Sequence, residues 1–481
     1  MGKIYKTQEE VLEKAQAALR KSLRNILSGD DLKIIESKIE EYGSKRKGYF
    51  GDLVEKYFFG INPGNLSEPD FSVAGVELKT TPLKHHPKRK LASKERLVFS
   101  MINYQTIVSE TWESSAFLKK NKLLLLMFYV WLESQSVLDY EFKYVYLLDL
   151  INGISAEDLL QIKKDWEYIV AKIRRGEAHL LSEADTYYLG ACTKGKNSSV
   201  VREQAANHLQ AKPRAFSLKQ QYLNYLIQTK LLGEEADTGS IFKKQRRIET
   251  IEEAVNEIFF PYIGKTDKQI LAELKSPLGK KSKSYGRLIV NRIFGLGSKE
   301  ILELEKANIT LKVLTLEQTG KLKESISFPA FDYRDLVNQV WYDEKEERMS
   351  DFHMQLETKK FLFVIFQKLS KSSDIVLKKI VFWNFPMADI AEAELVWRKT
   401  VKLVNEGKIV KEIKKQRDGK LKRFTFFPGI KESRVAHVRP HATQKEVSRL
   451  PVADSLTGNA TYTKHSFWLN AKYIQKAIEE R

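Results

Sequence analysis

Pro69-Asp70-Phe71-Ser72-Val73-Ala74-Gly75-Val76-Glu77-Leu78-Lys79 is the stretch from which the rest of the chain can be read. Val76, Leu78 and Thr80 alternate with Glu77, Lys79 and Thr81, which predicts a strand with Glu77 and Lys79 on one face. Gly75 permits a tight entry into that strand, and Asp70 lies close enough upstream to fold back beside Glu77. Two carboxylates and an ammonium then converge, a set suited to cutting a phosphodiester. Mg²⁺ prefers oxygen ligands and takes one or two carboxylates, with water and substrate phosphate completing its octahedron. Asp70 and Glu77 are the expected ligands, and Lys79 is expected to hold the attacking water or to neutralise charge growing on the phosphate.

Glu-x-Lys by itself decides little, because it recurs at Glu36/Lys38, Glu141/Lys143, Glu273/Lys275, Glu357/Lys359, Glu406/Lys408 and Glu412/Lys414. The flanking residues carry the reading. Upstream, Lys45-Arg46-Lys47-Gly48-Tyr49-Phe50-Gly51 is a basic, glycine-bounded loop suited to phosphate, and it feeds a helix from Gly51 to Gly60. Glu55 shares a face of that helix with Gly51, Phe58 and Phe59. A carboxylate on so apolar a face needs a partner, which makes Glu55 a third candidate acid.

At 481 residues the chain is long enough for two or three cores, and its 81 Lys and Arg against 62 Asp and Glu give a net charge of +19. Such an excess points to a polyanionic partner, since clustered cations release counterions from nucleic acid. No apolar run is long enough to span a bilayer, and Met1-Gly2-Lys3 leads into a polar helix rather than a signal peptide, so a cytoplasmic protein without membrane attachment is expected. One cysteine, Cys192, excludes an intrachain disulfide and a cysteine-built zinc cage. His85 and His86 lie in a basic stretch, Lys84 to Lys90, read as a loop that faces solvent or phosphate.

Thr7-Gln8-Glu9-Glu10 is a capping box, and apolar residues at helical spacing from Val11 to Leu27 predict an opening amphipathic helix; a second is expected from Asp31 to Glu41. Leu97–Ile102, Lys122–Trp131 and Phe142–Leu148 read as buried strands, Ser155–Arg175 as a helix, and Tyr187–Thr193 as a strand running into a small basic loop at Lys194. A helical tail from Leu218 to Leu231 precedes the polar linker Gly233–Ser240.

The order then repeats. Tyr285–Gly295 echoes Phe50–Gly60, Asn308–Lys312 echoes Gly75–Lys79, Phe328–Val337 echoes Phe99–Val108, and Ser466–Ile474 echoes Ala215–Leu223. Four echoes in one order predict a tandem duplication: an α/β fold of mixed sheets flanked by helices, built twice, with residues 1–232 and 241–481 joined by 233–240. The second copy has Val290 for Glu55, Thr310 for Glu77, Glu303 opposite Asp70 and Lys312 for Lys79. One acid cannot hold a hard cation with useful affinity, so the second copy is expected to lack catalysis.

Taken together, Lys47-Gly48-Tyr49-Phe50-Gly51 with Glu55, Pro69-Asp70-Phe71 and Gly75-Val76-Glu77-Leu78-Lys79-Thr80 resemble the signature of the MutH-like endonucleases of the PD-(D/E)xK nuclease superfamily. The resemblance extends to Thr111-Trp112-Glu113-Ser114-Ser115 and Ala215–Lys219. It implies a Mg²⁺-dependent nuclease with Asp70, Glu77, Lys79 and Glu55 at the active site. It further places Lys122, with Lys119 and Lys120 close by, on another lysine near it. Lys194 falls on the family's guanine-reading lysine, with Cys192 and Thr193 where the family has Arg-Pro. The second copy restores that pair as Arg439-Pro440-His441. Ser217 and Trp468 stand where the repair enzymes carry a tyrosine implicated in sensing adenine methylation. Two such halves resemble the GATC-cutting type II restriction enzymes of the group.

The resemblance thus implies hydrolysis of double-stranded DNA 5′ of the guanine in GATC, with the second half as a non-catalytic, GATC-binding effector. A double-strand cut at a palindrome by one active site calls for two chains about a two-fold axis. A strand-specific repair nickase and a non-catalytic GATC-binding regulator are the rival readings.

Overall fold

A computed structural model describes residues 3–42, 48–63, 67–87, 89–133, 135–195, 200–234, 238–242, 247–278, 284–297, 299–343, 348–369, 374–416, 419, 421–441 and 446–480. The chain divides into two compact units. The first takes the residues up to Leu181, with Thr186–Ile251 and Glu300–Ala307. The second takes Ser182–Asp185, Glu252–Lys299 and everything from Asn308 onward. Residues 241–251 and 300–307, expected in the second half, therefore fold with the first unit.

In unit 1, helix α1 (Gln8–Gln16) starts at the expected capping box, with the Thr7 side chain accepting the Glu10 N–H. It ends earlier than the apolar spacing predicts, because the chain turns with Arg20 at φ 60° before a short helix at Leu23–Ile26. Next come α2 (Gly29–Tyr42) and α3 (Tyr49–Leu53), which continues as a π-helical stretch, Val54–Phe59, closed by Gly60 at φ 71°. Strand β1 (Glu77–His86) runs parallel to β4 (Leu123–Val130), with Glu77 opposite Leu124. β2 (Arg89–Ser93) pairs antiparallel along the far half of β1, so the stretch read as a basic loop is a hairpin that extends the strand. With β5 (Phe142–Asp149) the order is β2-β1-β4-β5. The apolar run Leu124–Phe128 is wholly buried at the centre of this sheet, as a strand covered on both faces requires.

A second sheet, β3 (Leu97–Met101), β6 (Leu189–Thr193) and β7 (Arg214–Leu218), has the order β3-β7-β6. Helices α4 (Ala116–Asn121), α5 (Ala156–Arg174, capped by Ser155) and α6 (Gln220–Leu226) complete the unit. Leu218, expected to begin that last helix, instead ends β7. The segment 300–307 is pinned within unit 1. Glu300–Ile301 pairs with Thr238–Gly239, and buried Lys306 makes an ion pair with Asp158 beneath the rings of Tyr188, Tyr222 and Tyr225.

Unit 2 contains α7 (Tyr285–Phe294), β8 (Ile309–Leu316), β9 (Ile326–Ser327), α8 (Asp351–Thr358), β10 (Lys360–Lys368), β11 (Ile375–Asn384), α9 (Ile390–Asn405), β12 (Ala436–Pro440), β13 (His465–Leu469) and α10 (Ala471–Glu479). Its sheets have the orders β8-β10-β11 and β9-β13-β12. The registers correspond residue for residue. Thr310 lies opposite Phe361 as Glu77 lies opposite Leu124, and His437 lies opposite Trp468 as Gly190 lies opposite Ser217. Even the helix seats agree: a Cβ on Gly51 would come within 3.3 Å of the Thr80 hydroxyl, and one on Gly286 within 2.9 Å of Val313.

Candidate active site and nucleic-acid-reading face

The turn before β1 folds Asp70 back onto the strand. Phe71 and Val76 exchange backbone hydrogen bonds of 2.9 and 3.3 Å, and Gly75 takes φ 69°, a left-handed conformation that glycine adopts without cost. Phe71 packs against Tyr5 and Phe59, which fixes the turn to the helical layer. The Asp70 N–H then donates to Glu77 Oε2 at 3.1 Å, while Asp70 Oδ2 accepts the Leu78 N–H at 2.9 Å. Lys79 Nζ donates to Glu77 Oε1 at 2.6 Å, and Lys120 Nζ lies 3.6 Å from the same oxygen. Glu77 is 1% exposed. Asp70, Glu77 and Lys79 therefore form one unit, held by backbone groups as much as by one another.

Glu55 projects toward this set from the π-helical turn, an irregularity that often accompanies functional positions. Burial, together with the charge of Asp70, raises its pKa to about 7. Burial and then Glu77 raise Asp70 to about 6. Lys79 and Lys120 act on both acids in the opposite direction without offsetting these effects. Two acids held toward their protonated forms, Glu55 and Asp70, are a donor set in want of positive charge. Among the described residues nothing donates to Asp70 Oδ1 or to the Glu55 carboxylate, and those oxygens remain available to a cation. No three His, Cys, Asp or Glu side chains among the described residues are grouped so as to hold a metal unaided.

Not every expected residue joins the site. Lys122 is the C-cap of α4 and exposed, its carbonyl accepting the Leu150 N–H at 2.8 Å. Lys120, two residues earlier, is the lysine that reaches Glu77; Lys119 instead pairs with Glu68. The crowding of lysines at 119–122 was the visible signal, and only the helix end decides among them. Lys47 lies outside the described residues.

The other sheet presents the expected reading residues. Thr193 ends β6 and Lys194 follows, its N–H bound to the Pro213 carbonyl at 2.8 Å. Ser217 is fully buried on β7, and its hydroxyl has no hydrogen-bond partner among the described residues. In unit 2 the corresponding positions carry bulkier side chains, with Trp468 where unit 1 has Ser217 and His437 where it has Gly190. The Arg439 guanidinium stacks 3.7 Å above the Trp468 ring, a cation–π contact, beside Pro440. The His441 ring lies 5.5 Å from Trp468, and His441 Nδ1 is 3.0 Å from the Ser466 hydroxyl. The Trp468 indole N–H has no partner among the described residues.

The unit 1 acids are not repeated in unit 2: Val290 is buried at the position of Glu55, and Thr310 stands at that of Glu77. Glu303, opposite Asp70 in the alignment of the copies, is engaged within unit 1, accepting from the Ser240 hydroxyl at 2.6 Å and the Ile241 N–H at 3.0 Å. Among the described residues no helix is long and apolar enough to cross a membrane.

Residues 59–165 match the family model of the DNA mismatch repair enzyme MutH. The type II restriction enzyme Sau3AI of Staphylococcus aureus is 32% identical over 99% of this chain and 99% of its own length. MutH proteins align with part of the chain. That of Shewanella woodyi is 29% identical over 36% of this chain and 72% of its own, and that of Escherichia coli K12 is 25% identical over 46% and 92%.

Proposed function

This chain belongs to the family of type II restriction enzymes to which the staphylococcal protein belongs, making it a site-specific deoxyribonuclease, and we propose that it cuts double-stranded DNA 5′ of the guanine in GATC. The observation that carries the chemistry is the hydrogen-bonded set Asp70–Glu77–Lys79, in which each acid is positioned by a backbone N–H and the ammonium is held 2.6 Å from Glu77. Asp70 and Glu77 would hold Mg²⁺, which when bound polarises the scissile phosphate and acidifies a ligated water. Glu77 keeps Lys79 at the reacting phosphate, where the ammonium orients the attacking water and offsets charge gathering on the phosphate oxygens. Glu55, with a pKa near 7, is suited to hold or accept a proton at its carboxylate during the attack. Lys120 adds positive charge beside Glu77. The products are 5′-phosphate and 3′-hydroxyl ends.

Recognition is assigned to the β3-β7-β6 sheet of unit 1, with Thr193 and Lys194 at the groove and Ser217 behind them. The equivalent face of unit 2 is assigned to a second GATC, read by Arg439 and His441 on the Trp468 platform. Its stacked guanidinium and unpartnered indole N–H support that role. Unit 2 is then a non-catalytic effector whose occupancy licenses cutting by unit 1, and two chains related by a two-fold axis complete the double-strand break.

The test is to incubate duplexes bearing one or two GATC sites with the protein and Mg²⁺ and to map the ends. Cutting 5′ of the guanine, slow on one-site DNA and restored by added GATC duplex, is expected. Cutting elsewhere would refute the specificity, and equal rates on both substrates would refute the effector role.

A further inference from the structure

Unit 2 keeps the frame of the cutting site after losing its acids, and what remains there is positive. Lys312 on β8 occupies the register position that Lys79 has on β1. Because Ile309 pairs with Lys360, the alternation of the strands puts Lys359 on the same face as Thr310 and Lys312. From α7, one turn before the buried Val290, Arg287 reaches the same strand and donates to the Leu311 carbonyl at 3.2 Å.

Lys312 and Lys359 are each partly buried, and no described residue accepts a hydrogen bond from, or forms an ion pair with, either ammonium. Burial and then the neighbouring Arg287 hold Lys312 below the usual lysine range. Burial and then Lys312 do the same to Lys359. Half-buried cations that repel one another destabilise a fold unless an anion joins them. The corresponding pocket of unit 1 combines acids with lysines, as a site that engages phosphate through a cation requires; here the acids are gone and the lysines stay. A phosphate group would meet this pocket directly, without a metal.

We propose that the vacated catalytic pocket of unit 2 is an anion site that binds one phosphodiester group of duplex DNA, with Lys312 and Lys359 as its contacts and Arg287 beside them. The proposal rests on reading unit 2 as a DNA-binding unit, and it adds a fixed backbone contact to the face around Trp468. Lysine suits the role as a mobile point charge that needs no planar partner.

The test uses the full chain with Asp70→Asn to prevent cutting, titrated with a GATC duplex at several salt concentrations. Lys312→Gln/Lys359→Gln is expected to weaken binding several-fold and to reduce the slope of log K against log salt by about 1–2. Arg439→Ala/Trp468→Ala, run in parallel, reports on the underlying reading of unit 2. Weaker binding with that pair but unchanged affinity and slope with the lysine pair would overturn the anion site and leave the reading intact. If neither pair matters, the DNA-binding reading falls and the phosphodiester assignment with it. Thermal unfolding gives an independent check: the lysine variant should melt at or above its parent, because a repulsion is removed. Inorganic phosphate, compared with chloride at equal ionic strength, should raise the melting point of the parent alone. A lower melting point in the variant would show the lysines to be structural and overturn the proposal, as would equal stabilisation of both by phosphate.

Discussion

Apart from the edge strand β2 of unit 1, the two units share strand orders and registers, yet they differ in opposite directions at their two sheets. At the first sheet, unit 1 carries Glu77, Lys79 and the folded-back Asp70, where unit 2 has Thr310 and Lys312, with no carboxylate paired to that lysine among the described residues. At the second sheet unit 1 is plain, with Gly190 opposite Ser217 and Cys192 near the strand end, whereas unit 2 has His437 opposite Trp468 and an exposed Arg439 stacked on that ring. A scaffold fixed by strand pairing tolerates both changes, because neither set of side chains holds the sheets together. The cores do that, through Leu125, Met127 and Phe142 in one unit and Phe363, Ile365 and Trp383 in the other. Cutting and binding can therefore diverge between copies without loss of fold.

The largest effect expected from this contrast is at Lys79. Lys79→Met should lower the rate of cutting by about 10³-fold or more while leaving DNA binding intact, since it removes the cation held at the reacting phosphate. Lys312→Met, at the same position in unit 2, should act through DNA binding instead and cost far less of the single-turnover rate at saturating DNA. Comparable losses of single-turnover rate in both variants would erase the distinction between the units.

A smaller effect separates the lysines near the helix end. Lys120→Ala should slow cutting by about 10–100-fold, through its contact with Glu77, and Lys122→Ala by less than about two-fold. A larger loss at Lys122 would move the site toward β4.

The smallest effect is on stability and its pH dependence. Folded-state pKa values of about 7 for Glu55 and about 6 for Asp70 lie above their ordinary values of 4.5 and 3.8. The stability linked to these groups is therefore fully present below the ordinary values and lost as pH rises toward 6–7. Asp70→Asn, with or without Glu55→Gln, should raise the melting point of the metal-free protein at pH 7.5. The gain should shrink toward pH 5, and a gain independent of pH would contradict the electrostatic cause. Divalent-cation affinity should rise over the same range, with protons released on binding; calorimetry in buffers of different ionisation enthalpy measures both.

Much of the active site was legible because its parts are close in sequence. Asp70 and Glu77 are seven positions apart, and alternation with one glycine turn is enough to bring them together. Glu55 was legible as an acid on an apolar helical face, but the π-helical winding beneath it was not: the rings of that turn, Phe59 and Phe58, pack on Phe71 and Phe142 from outside the helix, contacts that local pattern does not record. The choice of Lys120 over Lys122 turns on where α4 stops and β4 starts, a boundary that local pattern leaves open by two residues. The retention of Glu300–Ala307 in unit 1 was hidden for a different reason. The ion pair of Lys306 with Asp158 and its contacts with three tyrosines join positions well over a hundred residues apart for Asp158, which no local pattern records. The hairpin at Lys84–Lys90 was read as a loop because its residues are charged, although exposed strands that extend beyond a core carry such residues freely.

The most direct measurement of the central claim, that only the first unit cuts, is the activity of the whole chain carrying Asp70→Asn. With Mg²⁺ and duplex DNA bearing GATC, neither strand should be broken while GATC binding persists. Cleavage of even one strand at GATC by this variant, at a rate near the parent's, would contradict it.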